Sequence, residues 1–500
     1  MIQIDVDKCN RCGICSRECP VGSIGIRDEK VQVDEKCTSC GVCVKVCPRE
    51  AVINDGQLII QAVTCNNCPV QCQVREGFTG ACRRYRNVGG RLVRARELVW
   101  AAPVTGARPL DVPLVTAVGA GSTYPDCIPA PIIVQDVRDG VEVVTVVTEA
   151  PLSYSGIKVK IDTNLHIGRE GAPVRRDGRV VGLVITEEYG SKMLSLGGPN
   201  LLTGKNGFTT ARTIVDIANG ERVELKVEQG SKLELQVGYA PVVDGYEDRT
   251  MRVGCGSATT GMFAPHLKGV VDEAIILDHH IIGLFSEHRA GEEVGMTYSG
   301  VIPVGRRSTR GRYFGEPGHG LGGTSVMTPR DAIVGVDMTR ALPGMRILVT
   351  ETTARIAALF EVQPDGSVLE VPMTPEVARV VRLIAANCED ARVSALYVGG
   401  TGGSARAGVT KNPIELTRAV HLGEVTLTIG GAPTFILPGG GINFMVDVEK
   451  VAPRAFYWVP TPATVAPVEY TMTRATFERI GGHVGSIQPF AVLKQHQAQV

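Results

Sequence analysis

The 500-residue sequence has no excess charge of either sign, because 52 Lys and Arg residues balance 52 Asp and Glu residues. Nucleic acids and anionic membranes attract proteins through clustered positive charge, so the balance argues against both kinds of partner. The chain also has no long apolar run, and no basic stretch followed by an apolar segment opens it. We therefore predict a protein that neither spans a membrane nor is exported, and we expect it in the cytoplasm.

Aromatic residues are also scarce, at 5% with two tryptophans, which leaves few platforms for stacking a planar partner. Cysteine is abundant instead: there are fifteen, and twelve of them fall within the first 82 positions. Cysteines at repeated gaps of two and three residues are typical of metal binding rather than of a disulfide framework. This pattern predicts metal centres in a reducing compartment.

Four segments of different composition predict an α+β, multidomain protein. A tandem cysteine repeat fills residues 1–57 and predicts a ferredoxin-like module, and a further cysteine-rich segment spans 58–100. Alternating apolar residues interrupted by turn signals predict a mostly β domain over 110–262. Strand-like and helix-like runs alternate over 265–500 and predict an α/β domain, in which Thr374 caps one helix.

Two copies of the motif C-x2-C-x2-C-x3-C-P lie in the first module, 28 residues apart. In this motif three cysteines surround one cluster and the fourth binds the neighbouring cluster, so the spacing predicts two [4Fe-4S] clusters with crossed ligands. The predicted ligands are Cys9, Cys12, Cys15 and Cys47 for one cluster, and Cys37, Cys40, Cys43 and Cys19 for the other. Two four-cysteine zinc sites are the competing interpretation, but such sites usually use two separated pairs of cysteines.

A third cysteine group lies in the stretch CNNCPVQCQVREGFTGACRRY and consists of Cys65, Cys68, Cys72 and Cys82. Glycines between the last two cysteines allow the chain to double back and bring the fourth thiolate to the other three. The spacing does not distinguish a third iron–sulfur cluster from structural zinc, although two neighbouring clusters favour iron. A radical-SAM motif would need a cysteine at position 75, where Arg75 stands.

A glycine-rich loop, YVGGTGGSARAGVTKNP, follows a strand-like run and precedes a helix-like one. Iron–sulfur clusters deliver electrons singly, whereas most organic reductions take two, so we expect a flavin in the body of the protein. The loop predicts a site for a phosphate or carboxylate, although an ordinary strand-to-helix turn explains the glycines equally well. The binding residues predicted here are Gly400, Gly402, Ser404, Arg406 and Lys411.

Histidine is concentrated between positions 266 and 319, which hold five of the nine. Because histidine delivers protons well near neutral pH and arginine binds carboxylates, this segment predicts an acid–base site with Arg312 as a further binding residue. The predicted catalytic residues are His279, His280, His288, His319 and Glu287. For any single histidine a structural role is the simpler interpretation, and no HExxH pattern indicates a mononuclear metal site.

The tandem repeat, the stretch CNNCPVQC and the later GFTGACRRY together resemble the 6-hydroxynicotinate reductase family. The resemblance implies ferredoxin-dependent reduction of 6-hydroxynicotinate to 1,4,5,6-tetrahydro-6-oxonicotinate, with iron–sulfur clusters and a flavin. It implies reduced ferredoxin and a small heteroaromatic acid as partners, and it leaves open whether the chain forms a homo-oligomer. The competing function is an electron-transfer subunit of a larger complex, but more than four hundred residues with only three cysteines after position 82 favour an enzyme.

Overall fold

The computed structural model describes residues 1–27, 30–65, 70–95, 132–149, 152, 154–186, 191–252, 254–400, 402–437, 441–460 and 462–491. Within these ranges the chain is mixed α/β and largely β, with a cysteine-bearing N-terminal part and two larger β-sheets. Each helix in the described ranges is too short or too polar to cross a lipid bilayer.

The first 57 residues contain two short antiparallel strand pairs and two short helices. The strand pairs are Ile2–Ile4 with Val52–Asn54 and Ile24–Arg27 with Lys30–Val33. Each helix, Ile14–Arg17 and Val42–Val46, begins after a glycine in the left-handed region, with φ of 73° at Gly13 and 76° at Gly41. The sequence repeat is therefore a structural repeat, and a side chain at either glycine would strain the start of the helix.

Two hairpins follow the first module. Their strands are Ala62–Thr64 with Gln73–Arg75, and Tyr85–Val88 with Arg91–Arg94. Val74 is fully buried and packs with Cys65 and Cys72, so the hairpins have a small core of their own. The cysteine-rich segment is thus a compact unit rather than an open linker.

A sixteen-stranded sheet forms most of the body within the described ranges. In spatial order its strands are Tyr246–Glu247, Val242–Val243, Lys232–Leu235, Val223–Val227, Pro173–Arg176, Arg179–Thr186, Ser191–Gly197, Gly156–Asp162, Val393–Gly400, Asn443–Asp447, Ala432–Leu437, Val425–Ile429, Val468–Thr473, Val141–Thr148, Ile132–Arg138 and Gln488–Pro489. Its helices are Pro199–Leu202, Gly207–Ala218, Gly402–Ala407, Pro413–His421 and Arg474–Arg479. Buried Val, Ile and Leu side chains from both the early and the late strands share one core, so these strands belong to one structural unit.

A second, seven-stranded sheet lies between the two halves of the first in sequence. Its strands in order are Arg306–Thr309, Arg312–Phe314, Ile281–Leu284, Glu273–Asp278, Arg346–Glu351, Ala357–Val362 and Val368–Val371. Its helices are Gly256–Leu267, Arg289–Glu293 and Pro375–Ala386. The last of these starts as predicted, because the Thr374 side chain accepts a hydrogen bond from the Val377 amide.

Short elements complete the fold. Three two-stranded sheets are Thr250–Met251 with Glu389–Asp390, Val301–Pro303 with Ile333–Val336, and Tyr457–Val459 with Ala463–Val465. Single 3-10 turns are Phe285–Glu287, Leu321–Gly323, Pro329–Ala332, Val448–Lys450 and Val484–Ser486.

The two large sheets divide the body differently from the predicted segments 110–262 and 265–500. Strand Val393–Gly400 pairs with Gly156–Asp162, so residues after 393 return to the sheet that the earlier strands begin. Periodicity identifies a strand but not its partner. Residues 265–500 therefore contribute strands to both of the large sheets.

Helix Gly207–Ala218 is the element of the body that meets the first module. Phe208 packs with Val42 and Val46 of the second repeat. The hydroxyl of Thr209 also donates to the buried carboxylate of Glu18 over 2.9 Å. The iron–sulfur module is therefore held on the body by both apolar and polar contacts.

Candidate functional site

The eight cysteines of the first module form two groups, each containing cysteines from both repeats. Burial raises the pKa of Cys15, and three neighbouring thiols raise it further. Those three belong to Cys9, Cys12 and Cys47. Burial also raises the pKa of Cys43 to about 12, and its neighbouring thiols belong to Cys40, Cys37 and Cys19. The structure thus brings together the two ligand sets that the motif spacing predicts.

Both crossing cysteines receive hydrogen bonds that suit a cluster ligand. The Ser23 amide donates to the Cys19 Sγ over 3.2 Å, and the Ser23 hydroxyl lies 3.3 Å from the same sulfur. At the equivalent place in the second repeat, the Ala51 amide donates to the Cys47 Sγ over 3.3 Å. Thiolates that bind iron carry negative charge, and hydrogen bonds of this kind stabilise it. The residues present therefore fit two iron–sulfur clusters.

The two thiol groups differ in their surroundings. Cys15 and Cys43 are both buried, but Cys12 of the first group is exposed, whereas all four cysteines of the second group are buried or half-buried. Cys40, also of the second group, packs against the apolar cluster of the cysteine-rich hairpins and against the cluster that contains Phe208 of the body. The first group is therefore the outer one, and the second is the inner one that faces the rest of the protein.

The third cysteine group is described except for Cys68, which lies outside the described ranges. The Cys65 amide donates to the Cys72 carbonyl oxygen over 2.8 Å, so these two cysteines close the end of a hairpin. Gly80 lies against Cys72, since a Cβ at Gly80 would be 3.8 Å from the Cys72 Cβ, and Cys82 follows two residues later. No three His, Cys, Asp or Glu side chains of the described ranges are placed to bind a single metal ion. A cubane cluster does not require that its ligands converge on a single ion. The metal at this group remains a prediction.

A buried polar group connects Cys82 to the body. Arg84 and Glu149 form an ion pair of 2.6 Å in which both side chains are largely buried, and Arg94 reaches Glu149 at 3.3 Å. Tyr457 is 4% exposed and belongs to the small apolar core against which Cys82 packs. Burial, followed by the charge of Glu149, raises the pKa of Tyr457 well above its usual value. The phenol therefore stays protonated near neutral pH.

A cleft of about 1080 Å³ lies between the first module and the body. Its lining includes Cys19 of the inner thiol group and Cys82 of the third group. It also includes five arginines, Arg17, Arg83, Arg212, Arg222 and Arg454, against three acidic side chains. Pockets for small ligands reach this size, with a few polar groups that set orientation. The cleft therefore lies beside two cysteine groups and has an excess of positive charge.

Hydrogen bonds fix the walls of this cleft. The Nε of Arg83 donates to the Pro20 carbonyl oxygen over 2.9 Å. The side chain of Asn219 donates to the Phe456 carbonyl oxygen over 2.8 Å and accepts from the Phe456 amide over 2.9 Å. This double contact orients the segment that carries Trp458, another lining residue.

The predicted proton donors belong to the seven-stranded sheet or its loops, and none is among the residues that line the cleft. His279 and His280 form the turn between two strands of that sheet, with ring centroids 4.9 Å apart. The ring of His319 lies 5.8 Å from that of His166, which comes from the larger sheet's side of the body. The loop that carries His319 also contacts His279, whose amide donates to the Gly322 carbonyl oxygen over 2.6 Å. The catalytic roles of these histidines remain predictions.

The charged residues predicted in the same segment have protein partners. The Tyr313 hydroxyl donates to Glu287 over 2.7 Å, and Arg307 pairs with the same carboxylate at 3.0 Å. The guanidinium of Arg312 lies 5.5 Å from the ring centre of Phe314. The roles predicted for Glu287 and Arg312 remain predictions.

His288 caps the helix Arg289–Glu293. Its Nδ1 accepts a hydrogen bond from the Ala290 amide over 3.1 Å, and its Nε2 lies 3.1 Å from the Ser257 hydroxyl. Burial lowers the pKa of His288, so the neutral ring is favoured. This arrangement gives the histidine a structural role in addition to the predicted catalytic one.

The glycine-rich stretch 397–413 is not one loop that leads to the helix at Pro413, because a further short helix forms within it. Gly400 ends strand Val393–Gly400 and Gly402 begins helix Gly402–Ala407. Arg406 donates to the Thr417 hydroxyl over 2.8 Å, and Lys411 is exposed. The side chain of Ser404 lies outside the described part of the chain. Anion binding by this loop remains a prediction, and its residues do not line the cleft.

Sequence reasoning missed most of the residues around the cleft. Arg454 and Trp458 reach it from near the end of the chain, and Arg212 reaches it from the middle. Only adjacency to a cysteine in the sequence indicated cleft residues, because Arg83 directly follows Cys82 and Arg17 precedes Cys19 by two residues.

Comparisons with known proteins agree with the cysteine chemistry. A family model described as a 4Fe-4S dicluster domain matches residues 1–48. Over 500 aligned residues the chain is 57% identical to a curated protein of Eubacterium barkeri named 6-hydroxynicotinate reductase, covering 99% of this chain and 100% of the relative. No solved structure matches the chain significantly. The similarity to the relative therefore extends through the body as well as the cysteine-bearing part.

Proposed function

The chain belongs to the 6-hydroxynicotinate reductase family, and we propose that it reduces the ring of 6-hydroxynicotinate with electrons from reduced ferredoxin. The relative and the dicluster domain together make it an iron–sulfur oxidoreductase. The proposed product is 1,4,5,6-tetrahydro-6-oxonicotinate. The proposal extends to a flavin and to a third cluster held by the cysteine-rich hairpins.

One observation carries the proposal: the cysteine groups run in order from the surface to a cleft. Cys12 is exposed in the outer group, and Cys19 of the inner group lines the cleft together with Cys82. Bound clusters supply single electrons at low potential. Cys40 of the inner group belongs to the apolar clusters that contain the hairpin cysteines and Phe208, which places the inner group beside the third group and the body. This order supports transfer from an external donor to a small molecule.

The chemistry of the proposed reaction sets what the body must provide. The substrate, in its pyridone form, and the product differ by two hydrogen atoms across C4 and C5 of the ring. One turnover therefore takes two electrons, from two reduced ferredoxins, and two protons. Negative charge develops on the C6 oxygen as the ring is reduced, and a fixed positive or hydrogen-bonding group would stabilise it. The arginines of the cleft are suited to this role and to binding the substrate carboxylate.

Anaerobic turnover in D2O tests the proposal. The chain is mixed with reduced ferredoxin and 6-hydroxynicotinate, and the product is analysed by mass spectrometry and NMR. We expect two oxidised ferredoxins per product, with one deuterium each at C4 and C5. Nicotinate, which lacks the 6-hydroxyl group, serves as the matched control substrate and should give no product. A chain that carries its clusters but oxidises ferredoxin at the same slow rate with and without 6-hydroxynicotinate would sink the proposal.

A further inference from the structure

We propose that the cleft beside Cys19 and Cys82 binds a planar aromatic anion, the chemical class that includes flavin phosphates and hydroxylated pyridine carboxylates. This inference rests on the proposed function, because it assigns the place where electrons leave the cysteine-bearing part. It names the residues that hold the electron acceptor, which the family membership does not.

The position of the cleft is the first argument. A molecule in the cleft lies beside a ligand of the inner group, Cys19, and a member of the third group, Cys82, at the same time. Electron transfer between centres needs them close together, and the cleft adjoins both groups. Its volume of about 1080 Å³ accommodates a ring system with its side chain, and small-ligand pockets typically span roughly 300–1,000 Å³.

The charge of the cleft is the second argument. Arg212 and Arg222 are compensated by ion pairs with Asp177 and Glu234. Arg83 is different: its Nε donates to the neutral carbonyl oxygen of Pro20, and no carboxylate of the described ranges lies within ion-pair distance of it. The charge of Arg83 is thus held in place at the cleft without being neutralised there. A phosphate or carboxylate is the ligand group that such a guanidinium binds well.

The aromatic side of the cleft is the third argument. Trp458 lines it, is only partly buried, and packs on Phe208 with ring centroids 6.4 Å apart. The Asn219–Phe456 contacts hold the backbone just before it. In a chain with two tryptophans, one that lines an arginine-lined cleft offers a face for a planar ring.

Equilibrium binding without reductant tests the inference. The cluster-loaded chain is titrated under argon with flavin mononucleotide, flavin adenine dinucleotide and 6-hydroxynicotinate in separate arms, followed by fluorescence and calorimetry. The variants are Arg83→Gln and Arg454→Gln, and the control is Arg382→Gln, an exposed arginine on the helix Pro375–Ala386. We expect binding in at least one arm to weaken about tenfold or more in both cleft variants, as loss of a charge-assisted contact predicts, and to stay unchanged in the control.

The arm that responds identifies the source of the anion. Iron–sulfur absorbance of each variant shows that the clusters remain, and Arg454→Gln keeps the test valid if Arg83→Gln disturbs Cys82. Wild-type binding in no arm, or unchanged binding in both cleft variants, overturns the inference. Ring reduction by the wild-type chain is measured separately. If the chain reduces the ring but the cleft binds no ligand, only the inference is rejected. If binding depends on both arginines but the wild-type chain does not reduce the ring, only the proposed function is rejected.

Discussion

The Nε of Arg83 donates a hydrogen bond to the carbonyl oxygen of Pro20 over 2.9 Å. Arg83 directly follows Cys82 of the third cysteine group, and Pro20 directly follows Cys19 of the inner group. A single side-chain contact therefore fixes two cysteine groups to one another at the wall of the cleft. A rigid connection of this kind keeps an electron-transfer distance constant while substrates bind and leave.

The crossed arrangement of ligands is testable by comparing variants. We expect Cys19→Ser to alter the electron paramagnetic resonance signal of the same cluster as Cys37→Ser, because both thiols lie near Cys43. Cys9→Ser should instead alter the other signal, together with Cys47→Ser. Spectra of the dithionite-reduced variants check this. If Cys19→Ser and Cys9→Ser affected the same signal, the crossed assignment would be wrong.

The metal of the third group is testable by elemental analysis. We expect about twelve iron atoms per chain and no stoichiometric zinc, which corresponds to three cubanes. In Cys72→Ser the iron should fall by about four atoms, because a buried thiolate ligand is lost. The matched control is Cys388→Ser, which changes a cysteine of the seven-stranded sheet's side of the body. About eight iron atoms with one zinc in the wild-type chain would instead make the group a structural zinc site.

Ser23 should tune the inner cluster. Beside a thiolate its hydroxyl acts as the donor, and the contact of 3.3 Å to the Cys19 Sγ stabilises the more negative, reduced cluster. Ser23→Ala should lower the reduction potential of that cluster by roughly 40 mV, the equivalent of about 1 kcal/mol for one electron. Potentiometric titration followed by electron paramagnetic resonance measures this. Ser16→Ala is the control, since the Ser16 hydroxyl donates to the Ile24 carbonyl oxygen and not to a sulfur. Equal potentials in Ser23→Ala and wild type would refute the assignment.

His288 should make folding stability depend on pH. Burial lowers its pKa in the folded state below the unfolded value of about 6.5, so its contribution is complete above pH 6.5. The contribution is lost as the pH falls from 6.5 through the folded pKa, because protonation of Nδ1 ends the hydrogen bond from the Ala290 amide. Thermal unfolding between pH 5 and 8 should therefore show a shallower pH dependence in His288→Asn than in wild type.

The same variant tests the catalytic role predicted for His288. Asparagine can cap a helix, so the stability of His288→Asn near pH 7.5 should stay within about 1 kcal/mol of wild type. If His288 has only a structural role, the kcat of His288→Asn should differ little from that of wild type. A loss of about 100-fold or more in kcat, with stability retained, would instead make His288 a proton donor.

The cysteine-bearing part was predictable because its chemistry is local in sequence. Three ligands of each cluster lie within seven residues, and the repeat of 28 residues positions the fourth. The helix start at Thr374 was predictable for the same reason, since a cap depends on neighbouring residues. The family resemblance also rested on a short stretch of cysteines.

The cleft and the sheet order were not predictable, because both depend on contacts between distant parts of the chain. Strand Gly156–Asp162 pairs with Val393–Gly400, and nothing in the periodicity of either strand specifies that partner. Likewise Arg454 and Cys19 line the same cleft only after the body has folded. The contacts of the histidine-rich segment were equally hidden, because His280 packs against Phe314 whereas His288 caps a helix.

The most direct test of the account is rapid-mixing kinetics of Cys82→Ser, with Cys388→Ser as control. Reduced ferredoxin is mixed with each protein and 6-hydroxynicotinate under argon, and cluster bleaching and product formation are followed separately. We expect the first two clusters of Cys82→Ser to be reduced still at the wild-type rate, while product formation falls to background. Product formation by Cys82→Ser at the wild-type rate would contradict a route through the third cysteine group to the cleft.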